Sequence, residues 1–383
     1  MKKTKLLYII VVVGFIIRLI FCLITPAKMD LDPQYYYDTA LNLAQGKGFI
    51  DLPLKPPFYS IFLSFLFKIF TPNILIIQIV QCFIDSITVF LVYLICKKIF
   101  MSEIIGIIAC SITAIDPFLI YFTNEVLTET LSVFFVAMIS YLFILTISNK
   151  NNLWINFLLG FFIGLSILTR GNFAGYIGFV FVSGVVYSIL TKNLVITVIM
   201  AILVVSLWLY RNYRVYGEIV LAYQRGVLWQ GLNPNFETEE GNKEWDKLVE
   251  KEVQGLTVAE QDRYLWKKGL MYIKQNPYKF LYVYIKKFLK FWRPVPYYGY
   301  SRKEKIISFL FFTPILTLFF LGIFLTLKHA DKLWPLYCFI LNFNFFTALM
   351  WVQLRYRVPI HPLLHIFAGY SIYWLYKKIS KTP

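Results

Sequence analysis

The chain has 383 residues, 58% of them hydrophobic, 19% aromatic and only 15% charged, with a formal net charge of +17. Soluble globular domains carry about 25% charged residues, and here the apolar residues come in long runs, so the composition excludes an ordinary soluble enzyme and points to a polytopic membrane protein. The positive excess then reads as lysines and arginines that flank membrane spans and face anionic lipid, not as a nucleic-acid surface.

An α-helical span needs about 20 apolar residues. Such runs cover 6–25, 75–96, 104–122, 128–147, 153–169, 173–190, 194–210, 306–327, 333–351 and 359–376. The start, MKKTK followed by an apolar run, resembles a signal peptide. However, the run is long and Thr25-Pro26 is a poor cleavage site, so it reads as a retained first span with its lysines inside. With that orientation Lys97, Lys98, Lys150, Lys192, Lys328, Lys332, Lys377 and Lys378 fall on cytoplasmic connections, as the positive-inside bias requires. The expected fold is therefore all-α, with about ten spans and both ends inside a cytoplasmic (inner) membrane. Phe58 to Phe70 is apolar but short and carries Lys68, so it is expected to lie along the outer interface.

Three segments then gather outside: the loop 26–74, the connection from Asp116 to Glu129, and the long stretch 211–305. The expected units are a transmembrane catalytic module (1–210), an extracytoplasmic region (211–305) and C-terminal transmembrane helices (306–383). Within the second unit, YKFLYVYIKKFLKFW projects as a basic amphipathic helix. Lys279, Lys286, Lys287 and Lys290 share one face, and Phe280, Leu281, Tyr284, Phe288 and Trp292 cover much of the rest. The five cysteines (Cys22, Cys82, Cys96, Cys110 and Cys338) lie in or beside apolar runs without metal-ligand spacing and read as small hydrophobes. The three histidines are too scattered to suggest a His-based metal site.

The chemistry-bearing residues collect at the outer ends of the spans. Asp30 and Asp32 stand shortly before Tyr36. An acid there can serve as a general base or bind a divalent metal, or Asp32 can cap a helix that starts at Pro33. Lys55 precedes Pro56-Pro57, which fix the backbone and aim it; it can bind a phosphate as a point charge or snorkel to headgroups. Glu125 and Glu129 lie four apart on one helix face, where like charges repel, so helix stability does not explain them. Arg170, Arg211, Arg355 and Arg357 sit at outer span ends. Interface anchoring explains any one of them better than all four, and together they could surround a phosphate.

In this order the motifs resemble polytopic glycosyltransferases of the C-type fold, in particular the family of dolichyl-phosphate-mannose protein mannosyltransferases and bacterial aminoarabinose transferases. The likeness covers nearly the whole chain. It rests on a loop acid, a tyrosine-bearing helix, Ala40-Leu-Asn-Leu-Ala-Gln-Gly46, the Lys55-Pro-Pro turn, Glu129, and the stretches LYRNYRVYGEIV and RYRVPIHPLL. The resemblance implies sugar transfer from a polyprenyl-phosphate-linked donor to a lipid, glycan or protein acceptor at the outer membrane face. In it Asp32 is the catalytic acid, with Asp30 as fallback and Glu129 as the second acid. Lys55 contacts the donor phosphate, with the arginines near it; beside these, Tyr36 and Glu125 are candidate substrate-binding residues. Some relatives carry a metal-binding acid before this lysine; Leu54 stands there, so a divalent metal stays open. Absence of a Gly-rich nucleotide-binding unit agrees with a lipid-linked donor. The other readings are a transporter or flippase of lipid-linked sugars and a structural subunit of an envelope assembly.

Overall fold

The computed structural model describes residues 2–50, 52–148, 152–178, 181, 192–224, 226–296 and 300–380. Among them the chain is all helix and loop: α1 (Lys2–Ile24), α2 (Asp32–Ala44), α3 (Phe58–Ile69), α4 (Ile74–Phe100), α5 (Glu103–Ala114), α6 (Pro117–Asn124), α7 (Glu129–Ser148), α8 (Leu153–Thr169), α9 (Lys192–Tyr216), α10 (Val227–Gln230), α11 (Glu239–Glu252), α12 (Val258–Gln275), α13 (Pro277–Lys290), α14 (Arg302–Thr326), α15 (Ala330–Leu349) and α16 (His361–Ile379). This is an all-α, multi-pass membrane protein. By length and composition, Lys3–Ile24, Ile74–Phe100, Glu129–Ser148, Leu194–Tyr216 and Arg302–Leu349 can cross a bilayer, and the pair α5–α6 makes a sixth candidate. A 3-10 turn at Leu327–His329 divides the last run into α14 and α15. The expected ten crossings are not reached on this criterion among the described residues, and most of the run 173–190 lies outside them.

Local chemistry sets many helix ends. The Asn73 side chain accepts from Leu75 N–H at 2.8 Å and starts α4. Ser301 and Glu304 form a capping box at α14. The run 104–122 is not one straight helix. Asp116 accepts from the N–H groups of Phe118 and Leu119 at 2.7 and 3.2 Å, Pro117 opens α6, and the axis bends by 50°. Two glycines allow close helix crossings: a Cβ on Gly160 would stand 2.3 Å from the Thr197 carbonyl, and one on Gly322 2.3 Å from that of Phe367.

Helix α13 departs from its simple projection. Lys287 is only 1% exposed and donates to the carbonyls of Gly231 at 2.6 Å and Met350 at 2.5 Å. Tyr278, Leu281, Tyr282, Ile285 and Leu289 are exposed instead. The lysine thus ties the segment around α10 to the end of α15. All five cysteines are free and buried.

A candidate donor-phosphate cavity

Six segments, around 32–36, 54–56, 127–129, 169–172, 224–230 and 346–356, meet in one cavity of about 290 Å³. The first is the start of α2. Asp32 is that helix's first residue and not its cap: Leu31 holds the cap position with φ +49°, a strained conformation for leucine, and no side chain caps the helix. The capping role open to Asp32 is therefore corrected. Its carboxylate turns to Lys55 Nζ at 3.0 Å and Arg355 at 3.4 Å. Burial pushes this carboxyl up, but Lys55 and Arg355 outweigh it and hold it below its ordinary range. Lys55 comes from the loop before α3, which is pinned when Tyr223 N–H donates to the Pro53 carbonyl at 2.8 Å.

Glu129 opens α7 and is buried, and Arg170 at the end of α8 donates to its Oε1 at 3.0 Å. Arg355 lies on a 3-10 turn, Leu354–Tyr356. The ring of Tyr356 lies 5.1 Å from each of the Arg170 and Arg355 guanidinium carbons, and its hydroxyl takes a hydrogen bond from Arg355 at 3.2 Å. Burial raises the Tyr356 phenol; the two guanidiniums and Lys55 reverse this and leave it below its ordinary value. Tyr36 is buried on the cavity wall, and burial drives its phenol well up. Asp32 and Glu129 thus share one cavity, each bound to its own cation, and Arg355, Tyr356 and Arg170 link them. Five buried polar atoms of residues lining this cavity have no hydrogen-bond partner among the described residues: Glu129 Oε2, Arg170 Nη1, Asn172 Oδ1, Thr347 Oγ1 and Arg355 Nε. Such atoms are costly unless a ligand meets them.

Other candidates fall elsewhere. Arg211 stacks on Phe49, Trp208 and Tyr216 and donates to Asn212 and Tyr216, away from the cavity. Arg357 is fully buried and donates to the carbonyls of Phe291 at 3.0 Å and Arg293 at 2.7 Å. Glu125 is buried and does not line the cavity. Asp30 lines a second cavity. Sequence reasoning missed Tyr356, whose position between two arginines was its only signal. It also missed Gln224 and Gln230, contributed by the segment that α13 holds down.

No group of three or more His, Cys, Asp or Glu side chains stands ready to hold a metal ion among the described residues. Both cavity carboxylates already face cations, so this donor set does not fit a dedicated metal cage.

The family model of dolichyl-phosphate-mannose-protein mannosyltransferases matches residues 54–211. No curated protein sequence matches the chain. The oligosaccharyltransferase of Archaeoglobus fulgidus, solved tethered to an acceptor peptide containing the NVT sequon, superposes with a TM-score of 0.62 at 15% identity over 98% of this chain and 50% of that one. The archaeal oligosaccharyltransferase AglB from the same organism, in complex with an inhibitory peptide and a dolichol-phosphate, gives 0.60 at 16% identity over 98% and 50%. ArnT from Cupriavidus metallidurans bound to undecaprenyl phosphate gives 0.58 at 13% identity over 96% and 59%. The chain spans about half the length of the oligosaccharyltransferase chains it matches. These likenesses are of fold. The chain has the C-type fold of these membrane glycosyltransferases, and the match to the mannosyltransferase family model bears out the resemblance carried by its motifs.

Proposed function

We propose that the protein is a glycosyltransferase that moves a hexosyl or pentosyl group from a polyprenyl-phosphate-linked donor to an acceptor at the outer face of the cytoplasmic membrane. The observation that carries this reading is the convergence of Lys55, Arg170 and Arg355 with two carboxylates, Asp32 and Glu129, in one cavity. Three cations against two carboxylates leave one net positive charge, which matches the single negative charge of a sugar phosphodiester. Two structural relatives, solved with dolichol-phosphate and with undecaprenyl phosphate, support the same donor class. None of the relatives described above is a transporter.

The geometry suggests how the reaction proceeds. The donor phosphate binds Lys55 and Arg355 by charge-assisted hydrogen bonds and so competes with Asp32 for both. Released from these cations, the Asp32 carboxylate becomes a stronger base. The acceptor hydroxyl oxygen forms the new bond to the anomeric carbon, and its proton passes to Asp32. The bond from the anomeric carbon to the phosphate oxygen breaks, and its electron pair leaves with the polyprenyl phosphate. Lys55, Arg355 and Arg170 stabilise the charge that develops there. Glu129 holds Arg170 in place and offers its free oxygen to a donor-sugar hydroxyl.

Incubating the purified protein in lipid discs with polyprenyl-phosphate sugars, and measuring released polyprenyl phosphate, tests the assignment. Absence of release across hexosyl and pentosyl donors rejects it. The orientation has its own test. Lys243 has a side chain 67% exposed, and a cysteine there should react with an impermeant reagent in intact cells. Reaction only after lysis would put the cavity on the cytoplasmic side.

A further inference from the structure

The strained turn at Leu31 separates two cavities. Asp32 faces the one described above; Asp30 and Leu31 line a second, of about 440 Å³. The opposite wall is shared in the same way, since Val352, Gln353 and Leu354 line the second cavity and Arg355 the first. Two short segments, 30–32 and 352–355, therefore form a partition, with Asp32 and Arg355 on the donor side and Asp30 and Gln353 on the other.

That chemistry is specific. The Asp30 carboxylate is exposed and takes part in no hydrogen bond or ion pair among the described residues, and it stands with the Gln353 amide and the Tyr300 phenol. Phe291, Val352 and Leu354 add apolar faces. The two cations on the lining are already engaged. Lys290 faces Glu237 at 3.4 Å, and Arg293 donates to the Val295 carbonyl. Asp30 is thus the acid of the lining, and it faces no cation among the described residues. A carboxylate accepts hydrogen bonds from neutral hydroxyls and repels phosphates and carboxylates. The volume lies within the usual range for small-molecule sites, about 300–1,000 Å³.

We infer that this second cavity binds the acceptor, and that the acceptor presents a neutral carbohydrate whose hydroxyls hydrogen-bond to Asp30 and Gln353. The inference rests on the glycosyltransferase reading. A sugar held here lies beside the turn that carries Asp32, and its reacting hydroxyl extends past Leu31 to reach the Asp32 carboxylate and the anomeric carbon of the donor. Asp30 is then an acceptor-binding residue and not a substitute base.

The test separates the two cavities by binding. Protein in lipid discs is titrated with methyl glucoside, with methyl glucuronide and with a serine tripeptide, each followed by saturation-transfer NMR. Undecaprenyl phosphate binding is measured in parallel. Wild-type protein should bind the neutral glucoside in preference to the glucuronide and the tripeptide. Val352→Trp, which fills the cavity, and Asp30→Ala, at an exposed position, should each weaken glucoside binding by about tenfold and shift undecaprenyl phosphate binding less than about twofold. Lys55→Ala should do the reverse. No glucoside binding, unchanged glucoside affinity in both cavity variants, or preference for the glucuronide or the tripeptide overturns the inference. Loss of undecaprenyl phosphate binding in the wild type instead overturns the donor reading, whatever the glucoside does.

Discussion

Two ionic regions of the molecule invite comparison. The donor cavity holds Asp32, Lys55, Arg355, Glu129 and Arg170. The second region lies among the apolar helices, where Arg18 and Asp85 pair at 2.5 Å with 0% and 1% exposure. Arg18 also donates to the carbonyls of Gly14, Ala114 and Thr113. Nearby, Asp116 takes His361 at 2.8 Å and lies 3.2 Å from His365, whose other nitrogen meets the Thr113 hydroxyl at 3.1 Å. Charge inside a span usually marks function, yet here the region is closed to solvent and, His361 Nε2 and His365 Nε2 apart, richly bonded. It seats the α5–α6 bend against α1, α4 and α16. The cavity is the reverse: partly open, with Lys55 37% and Asp32 28% exposed, and with unpaired polar atoms on its wall. The difference teaches that satisfaction, more than depth, separates a structural ion pair from a chemical one.

The largest effect should come from Asp32→Asn. It keeps the shape and removes the base, so turnover should fall by about 100- to 10,000-fold while undecaprenyl phosphate binding is kept or tightens, because the carboxylate that competes for Lys55 and Arg355 is gone. If turnover survives and thermal stability drops instead, the cavity acid is structural and the contrast fails. Next, Arg18→Leu or Asp85→Leu alone strands a buried charge and should destabilise the protein by about 3–5 kcal/mol. The double variant Arg18→Met with Asp85→Leu should recover most of that loss. Denaturation in detergent measures both, and a single variant that stays stable but loses turnover would move this pair into the chemistry.

Lys55→Ala should weaken donor binding by roughly tenfold without altering the melting temperature; unchanged donor affinity would leave Lys55 as a headgroup anchor. The smallest effect concerns Lys287. Burial pushes its ammonium down to about 7 from an ordinary 10.5. Between those values the opened segment binds a proton that the closed one lacks. Closure of the 226–231 segment over the cavity is therefore stabilised as pH rises above 7, by at most about 1.4 kcal/mol per pH unit. Hydrogen exchange at Trp229 and Gln230 should slow beyond the intrinsic pH trend from pH 7 to 9, and Lys287→Met should abolish that change.

Much of the architecture was legible in the chain. Apolar runs near 20 residues specify helices because only an internally bonded backbone is tolerated in lipid, and among the described residues the helices fall where those runs are, the run 173–190 lying mostly outside them. The loop acids, Lys55-Pro-Pro and Glu129 stood out because each places a charge beside an apolar run. The bend at Asp116 was not legible, because it depends on one carboxylate meeting two backbone N–H groups and two histidines about 245 residues away. Nor were the arginines separable by sequence. Arg170 and Arg355 enter the cavity, Arg211 stacks on aromatics and Arg357 is buried outside it with its Nη1 on two carbonyls, though all four end apolar runs alike. Composition and periodicity determined the class, the helices and the charges at their mouths, since these follow from each residue's own transfer free energy and local backbone. Only the tertiary structure decided which charges face each other, which are satisfied and which are left for a ligand, because those outcomes depend on partners brought from distant parts of the chain.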